Sequence, residues 1–194
     1  MNTVFVDVDT QIDFLFPAGA LYAPGAERIV PAIARLNRHA ARIGTIVLSS
    51  MDAHAESDPE FANWPPHCVV GTVGQQKPAV TLLERRITVP SVRGAVFSLD
   101  SCQQILVEKQ HLDVFTNPNL ADVLEHLRAQ RFVVYGVVTE ICVRFAAFGL
   151  LQRGKLVEVV TDAVCSLDDA KARQMFADFT AAGGKLTSAA AVAA

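Results

Sequence analysis

The chain predicts a three-layer α/β/α fold around a mostly parallel, Rossmann-like sheet of about six strands. Three observations carry this. Short apolar runs alternate with amphipathic segments of helical period from one end to the other. The runs are apolar on both faces, as strands of a parallel sheet covered on both sides must be. Hydrophobic residues make up 51% and charged residues 19% of 194 residues, enough to bury roughly seventy per cent of the unfolded surface in one core. One domain is expected over 1–194, with a long loop insertion at about 50–103.

The first strand is TVFVDV at 3–8. A helix follows from Glu27 to Arg42, with Ile29, Ile33, Leu36 and Ala40 on one face, Arg28, Arg35, Arg38 and Arg42 on the other, and Pro31 tolerated in its first turn. Gly44 closes it and TIVLS at 45–49 is the second strand. The next stretch carries Pro59, Pro65, Pro66, Pro78 and Pro90 among Gly71, Gly74 and Gly94, and reads as a loop or lid. QILVE at 104–108 is the third strand. Asn117-Pro118 opens a helix through Leu127, 131–135 is the fourth strand, and Glu140–Arg153 is a helix capped by Gly154. A fifth strand at 156–160, a helix at 167–182 with a capping box at Ser166 and Asp169, and a short strand at 185–187 complete the pattern. The alanine-rich tail reads as a packing end.

A net charge of −3 with no basic run argues against a nucleic-acid partner. No window is long and apolar enough for a membrane span, and the start lacks an export signal, so a cytoplasmic protein with no membrane partner is expected. Cys68, Cys102, Cys142 and Cys165 form no CxxC pair and read as reduced thiols.

In an open parallel sheet, ligands bind beyond the carboxyl ends of the strands. The residues there are Asp7 and Asp9, Ser50 to His54, Lys109, Val138 to Cys142, and Asp162. Taken singly, Cys142 reads as a small buried apolar residue, Asp9 as a turn carboxylate and Lys109 as a solvated strand end. Their shared rim reverses that. A cysteine at a helix start has its thiolate favoured by the helix end. Asp9 is placed to take its proton, Lys109 to hold the anion, and the backbone N–H groups of Val138 and Cys142 to form an oxyanion hole. A second constellation is Asp52-Ala53-His54 with His67 in a proline-stiffened loop: three ligands for one metal ion, with positions left open. Ordinary loop histidines are the competing reading there, and Cys68 is a poor fourth ligand because neighbouring residues point apart.

Four pieces stand in order along the chain: VDVDTQIDF at 6–14, DAH at 52–54 with WPPHCVVGT at 64–72, VEK ending at Lys109, and GVVTEICV at 136–143. With them the chain resembles the isochorismatase-like cysteine hydrolases, on the nicotinamidase (pyrazinamidase) side of that family. The resemblance implies an Asp9, Lys109, Cys142 triad and a divalent metal, zinc before manganese or iron, on Asp52, His54 and His67. It implies attack of Cys142 on a small-molecule carboxamide, nicotinamide first, with ammonia release and thioester hydrolysis, as in NAD salvage. Phe14, Trp64 and Val138 would contact the substrate, the Val138–Thr139 peptide would be cis, and a homo-oligomer would be usual. Two departures bear on the substrate. The segment His111 to Asn119 follows the wider family, and Glu56, Asp58 or Glu60 stands where some relatives carry another metal-loop histidine.

Two rivals remain at this level. Phe5 to Thr10 resembles the nucleophile motif of haloacid-dehalogenase-type phosphatases, but Gln11 stands where that motif wants Thr or Val. The other is a binding protein that kept the fold without turnover.

Overall fold

The computed structural model describes residues 2–193. Its strands are β1 (Thr3–Val8), β2 (Ile46–Asp52), β3 (Arg86–Val89), β4 (Gln104–Lys109), β5 (Arg131–Val137), β6 (Leu156–Cys165) and β7 (Lys185–Thr187). Its helices are α1 (Ile12–Leu15), α2 (Val30–Arg42), α3 (Leu120–Leu127), α4 (Arg144–Gln152), α5 (Asp169–Ala181) and α6 (Ala189–Val192). All pairings are parallel, in the order β3-β4-β2-β1-β5-β6-β7. The chain builds outward from β1 on one side and then returns to lay β5 on the other. The carboxyl ends of β1 and β5 therefore flank the point where the order reverses, the place such sheets use for ligands.

Each face of the sheet has its own apolar layer. On one, Val4, Val6, Ile105, Phe132, Val134 and Val159 pack against α3, α4 and α5. On the other, Phe5, Val47, Val133 and Tyr135 meet Ile29, Ile33, Leu36 and Ala40 of the α2 region. The three-layer expectation holds, with seven strands rather than about six. The additional strand is β3, inside the presumed loop insertion. It sits at the sheet edge, pairs only with β4, and is mostly exposed, so it carries no apolar run.

Other boundaries shift for local reasons. The strand expected at 156–160 continues to Cys165 because β6 bulges: two steps along β5 correspond to five along β6 between Val134 and Gly136. Asp162, expected at the rim, instead accepts the Ala189 N–H at 2.7 Å and anchors α6. Asn117 bonds the Asn119 N–H through its side chain at 2.8 Å, so Pro118 precedes α3 instead of opening it. α5 is capped by Asp168, whose Oδ1 accepts from Ala170 and Lys171, rather than by a Ser166 box. The single helix expected from Glu140 is a π-helical turn, Thr139–Val143, leading into α4. Among the described residues no helix is long and apolar enough to cross a membrane.

Candidate active site

Gly136 lets the two central strands end together. Its φ is +123°, and a Cβ there would run into the Val8 backbone carbonyl. Just beyond, the Val137–Val138 peptide is cis, one bond earlier than the expected Val138–Thr139. The π-turn follows and presents Cys142, buried to 8% exposure.

Opposite it, Asp9 leaves β1 with φ +48°, a left-handed conformation uncommon for a residue with a side chain. Two bonds from Ser50 hold it there: the Asp9 N–H donates to the Ser50 carbonyl at 3.1 Å, and Ser50 Oγ donates to Asp9 Oδ1 at 2.7 Å. Asp9 Oδ2 is buried as well. Lys109, at the end of β4, puts Nζ 2.9 Å from that oxygen and 3.8 Å from Cys142 Sγ, and also bonds Asp52 Oδ1. The three side chains expected to act together do converge.

Their protonation follows from burial. Removal from water raises the Asp9 carboxyl, outweighing the opposing Lys109 charge. Burial works against the Lys109 ammonium, yet the Asp52 and Asp9 carboxylates hold its pKa well above the ordinary value. The Cys142 thiol is pushed up by burial and then by Asp9 and Asp52, against Lys109. Burial thus works against the thiolate expected from the helix start, and Lys109 is the charge that favours it.

Asp52 ends β2 with its other oxygen, Oδ2, 3.8 Å from both His54 Nε2 and His67 Nε2. These three ligand atoms lie within 4.8 Å of one another, all on buried residues. Each imidazole has its far nitrogen occupied: His54 Nδ1 faces Asp58 Oδ2 at 3.0 Å and His67 Nδ1 faces the Pro65 carbonyl at 2.7 Å. With Nδ1 donating, both Nε2 lone pairs point at the shared centre. His54 Nε2 is buried without a hydrogen-bond partner among the described residues. Two imidazole nitrogens and a carboxylate, aimed together with one nitrogen orphaned, fit a divalent cation. Burial lowers the His54 pKa, but Asp52 and Asp58 outweigh it and the net shift is upward.

Phe14, Trp64 and Val138 line the same pocket as Cys142, Asp52 and His67, together with Leu21, Glu60, Leu112, Ile141 and Leu167. Glu60 Oε1 lies 4.0 Å from His67 Nε2, Asp58 braces His54 from behind, and Glu56 is exposed. Cys68 is outside the ligand set; its N–H donates to Asp13 Oδ2 at 2.7 Å. Asp7 turns away from the rim into a buried network with Thr10, Asn37, Ser49 and Lys77.

The model of the isochorismatase domain matches residues 3–191. The chain belongs to the isochorismatase family. It is 26% identical to the nicotinamidase of Escherichia coli (strain K12) over 200 residues, covering 92% of this chain and 91% of that protein. Among solved structures, the pyrazinamidase of Pyrococcus horikoshii in complex with zinc superposes with a TM-score of 0.80 at 25% identity, covering 97% of this chain and 99% of that one. The pyrazinamidase/nicotinamidase from Streptococcus mutans UA159 gives 0.81 at 24% identity, covering 96% and 100%, a likeness of fold.

Other residues of this isochorismatase-family hydrolase hold the side chains and backbone of the site in place. Gln11 and Asp13 lie at the i+2 and i+4 positions from Asp9, and their side chains reach β2 and the loop carrying His67. Their spacing in VDVDTQIDF was visible; their partners, over forty residues away, were not. Ser50 looked like an ordinary strand-end serine, and nothing local marks it as the residue that holds Asp9.

Proposed function

We propose that this protein is a metal-assisted cysteine amidohydrolase cleaving a small carboxamide to the acid and ammonia, with nicotinamide as its substrate. One observation carries the reading: Cys142, with Lys109 and Asp9 behind it, shares a pocket walled by Phe14 and Trp64 with Asp52 and His67 of the Asp52, His54, His67 cluster.

Cys142 Sγ attacks the amide carbonyl carbon as its proton passes to the buried Asp9 carboxylate, whose Oδ2 is paired with Lys109 Nζ at 2.9 Å. Proton transfer to Asp9 accompanies the attack, and Lys109 compensates the charge that develops. The N–H groups of Val138 and Cys142 hold the oxyanion. Asp9 then returns the proton to the departing nitrogen, ammonia leaves, and a thioester remains. Asp9 deprotonates the water that attacks the thioester and gives the proton back to sulfur as the acid departs. Asp52, His54 and His67 would hold a divalent cation, zinc before manganese or iron, which would supply a Lewis-acidic anchor for an aromatic ring nitrogen.

A related small amide is the second reading, favoured by the aliphatic side chains of Leu112 and Ile141 where the pocket could have offered polar ones. Ammonia release from nicotinamide, pyrazinamide, N-carbamoylsarcosine and simple aliphatic amides separates the two. Turnover confined to the pyridine and pyrazine amides supports the first, and turnover of the aliphatic amides alone replaces it. The four unpaired thiols fit a reducing, cytoplasmic setting, and a homo-oligomer is proposed on family analogy.

A further inference from the structure

Glu140 stands two residues before Cys142, on the turn that presents the sulfur, yet its carboxylate reaches across to the loop joining β6 to α5. Oε1 accepts the backbone N–H of Leu167 at 2.9 Å and that of Asp168 at 2.8 Å. The other oxygen, Oε2, is buried without a hydrogen-bond partner among the described residues. The grip is on backbone, and the Asp168 side chain is already committed to capping α5. Leu167, held this way, lines the pocket beside Cys142 together with Leu21, Leu112 and Ile141. It is 44% exposed, so much of its side chain has apolar surface still to bury against a ligand.

The geometry points to Leu167 as a specificity-determining wall of the pocket and to Glu140 as the positioning residue that sets that wall's distance from Cys142. This rests on reading Cys142 as the nucleophile. The turn that carries the sulfur and the wall that limits what reaches it are then tied by one carboxylate. The wall of Leu21, Leu112, Ile141 and Leu167 presents no side-chain hydrogen-bonding group. It selects carboxamides on a small flat ring with an apolar outer edge, and a ring substituent directed at Leu167 is excluded by size.

The test uses Cys142 as its own probe. Rates of alkylation by iodoacetamide and by the bulkier N-benzyl iodoacetamide are measured for the wild type, Leu167→Ala, Leu167→Trp, Glu140→Ala, Glu140→Gln and the Glu140→Ala/Leu167→Ala double variant. The bulky-to-small rate ratio is expected to rise about ten-fold in Leu167→Ala and in Glu140→Ala, the scale of a missing apolar contact, and to fall in Leu167→Trp. The double variant should go no further than either single one, because both act on the same wall. Glu140→Gln keeps an acceptor oxygen and should behave as wild type. In nicotinamide turnover, Leu167→Ala should raise KM with kcat little changed. An unchanged ratio in Leu167→Ala, additive effects in the double variant, or equal damage from Gln and Ala at 140 would overturn the assignment. Should Glu140→Ala not fold, the opposite shifts in Leu167→Ala and Leu167→Trp, with wild-type behaviour in Glu140→Gln, still decide it. The expected alkylation pattern in a protein that hydrolyses none of the amides would remove the amidase reading and leave this one standing.

Discussion

Gln11 holds the backbone of Asp52 from both ends. Its Oε1 accepts the Asp52 N–H at 2.7 Å, while its Nε2 donates to the Asp52 carbonyl and to that of Gln75, each at 2.8 Å. Asp9 follows β1 and Asp52 ends β2, with Lys109 between them, so this amide fixes the spacing of the proposed base relative to the candidate metal cluster. Replacing Gln11 by Leu keeps the bulk and strands the buried partners, at about 1–3 kcal/mol for each group left unpaired. We expect a lowered Tm and zinc affinity weaker by roughly ten- to a hundred-fold, the usual scale for an outer-shell loss. Calorimetric titration with zinc and a thermal melt check this, and wild-type values in both would refute it.

Cys142→Ala should abolish amide hydrolysis with the fold intact, since the side chain is small and makes one long contact to Lys109. Asp9→Asn keeps the shape but not the basicity, and is expected to cost about 10⁴-fold in kcat, as for other members of concerted triads. Lys109→Met is different in kind. It leaves Asp9 and Asp52 as buried acids without their cation, and breaking such a pair costs about 3–5 kcal/mol. Circular dichroism alongside ammonia release separates these classes: two folded, inactive variants and one that is also unstable.

The sheet was legible because periodicity is a local signal: β1, β4 and β7 lie within a residue of where the alternation puts them. β3 was hidden because an edge strand has one partner and no need of an apolar run. The convergence of Asp9, Lys109 and Cys142 could be read from strand-end positions, because a parallel sheet brings the carboxyl ends of its strands to one rim. What resisted reading was geometry set by non-local contacts. Asp162 looked like a rim acid until the β6 bulge carried it to α6. The Cys142 thiol looked activated at rest because its helix start is visible in sequence, whereas the desolvation that raises it is not.

Gly136→Ala tests whether close approach of β5 to β1 builds the site. The residue has φ +123° and its missing Cβ would occupy the space of the Val8 carbonyl. A Cβ placed that close to the Val8 oxygen must force the strands well apart, or the backbone must leave a region that alanine avoids. Activity should fall more than stability predicts, because Asp9 and Cys142 lie on either side of that approach. A variant with wild-type kcat would show that the approach is incidental.

Acid stability should depend on a pair far from the chemistry. Arg131 at the start of β5 holds Glu158 of β6 with two bonds of 2.8 Å, and the Glu158 carboxyl is thereby kept below its ordinary value. A depressed carboxyl contributes stability that is present above the unfolded pKa and lost as pH falls through the folded one. Both side chains are partly exposed, so the contribution is at most about 1 kcal/mol. Glu158→Gln should lower the Tm at pH 7 and leave it nearly unchanged near pH 3, where the wild type has lost the pair. An equal drop at both values would assign the effect to packing.

Removing the cation should weaken binding before it touches the nucleophile. Asp52 and His67 of the cluster line the pocket where a ring would lie, whereas the groups next to Cys142 in the proposed mechanism are Asp9 and Lys109. Treatment with a chelator is expected to raise KM for nicotinamide and lower kcat/KM, with recovery on adding zinc. His54→Ala should do the same without recovery, while iodoacetamide still modifies Cys142. Asp58→Asn removes the carboxylate that fixes the His54 tautomer, and should lower metal affinity by roughly ten-fold while leaving saturated kcat near wild type. Kinetics indifferent to both the chelator and His54→Ala would mean that the cluster takes no part in turnover.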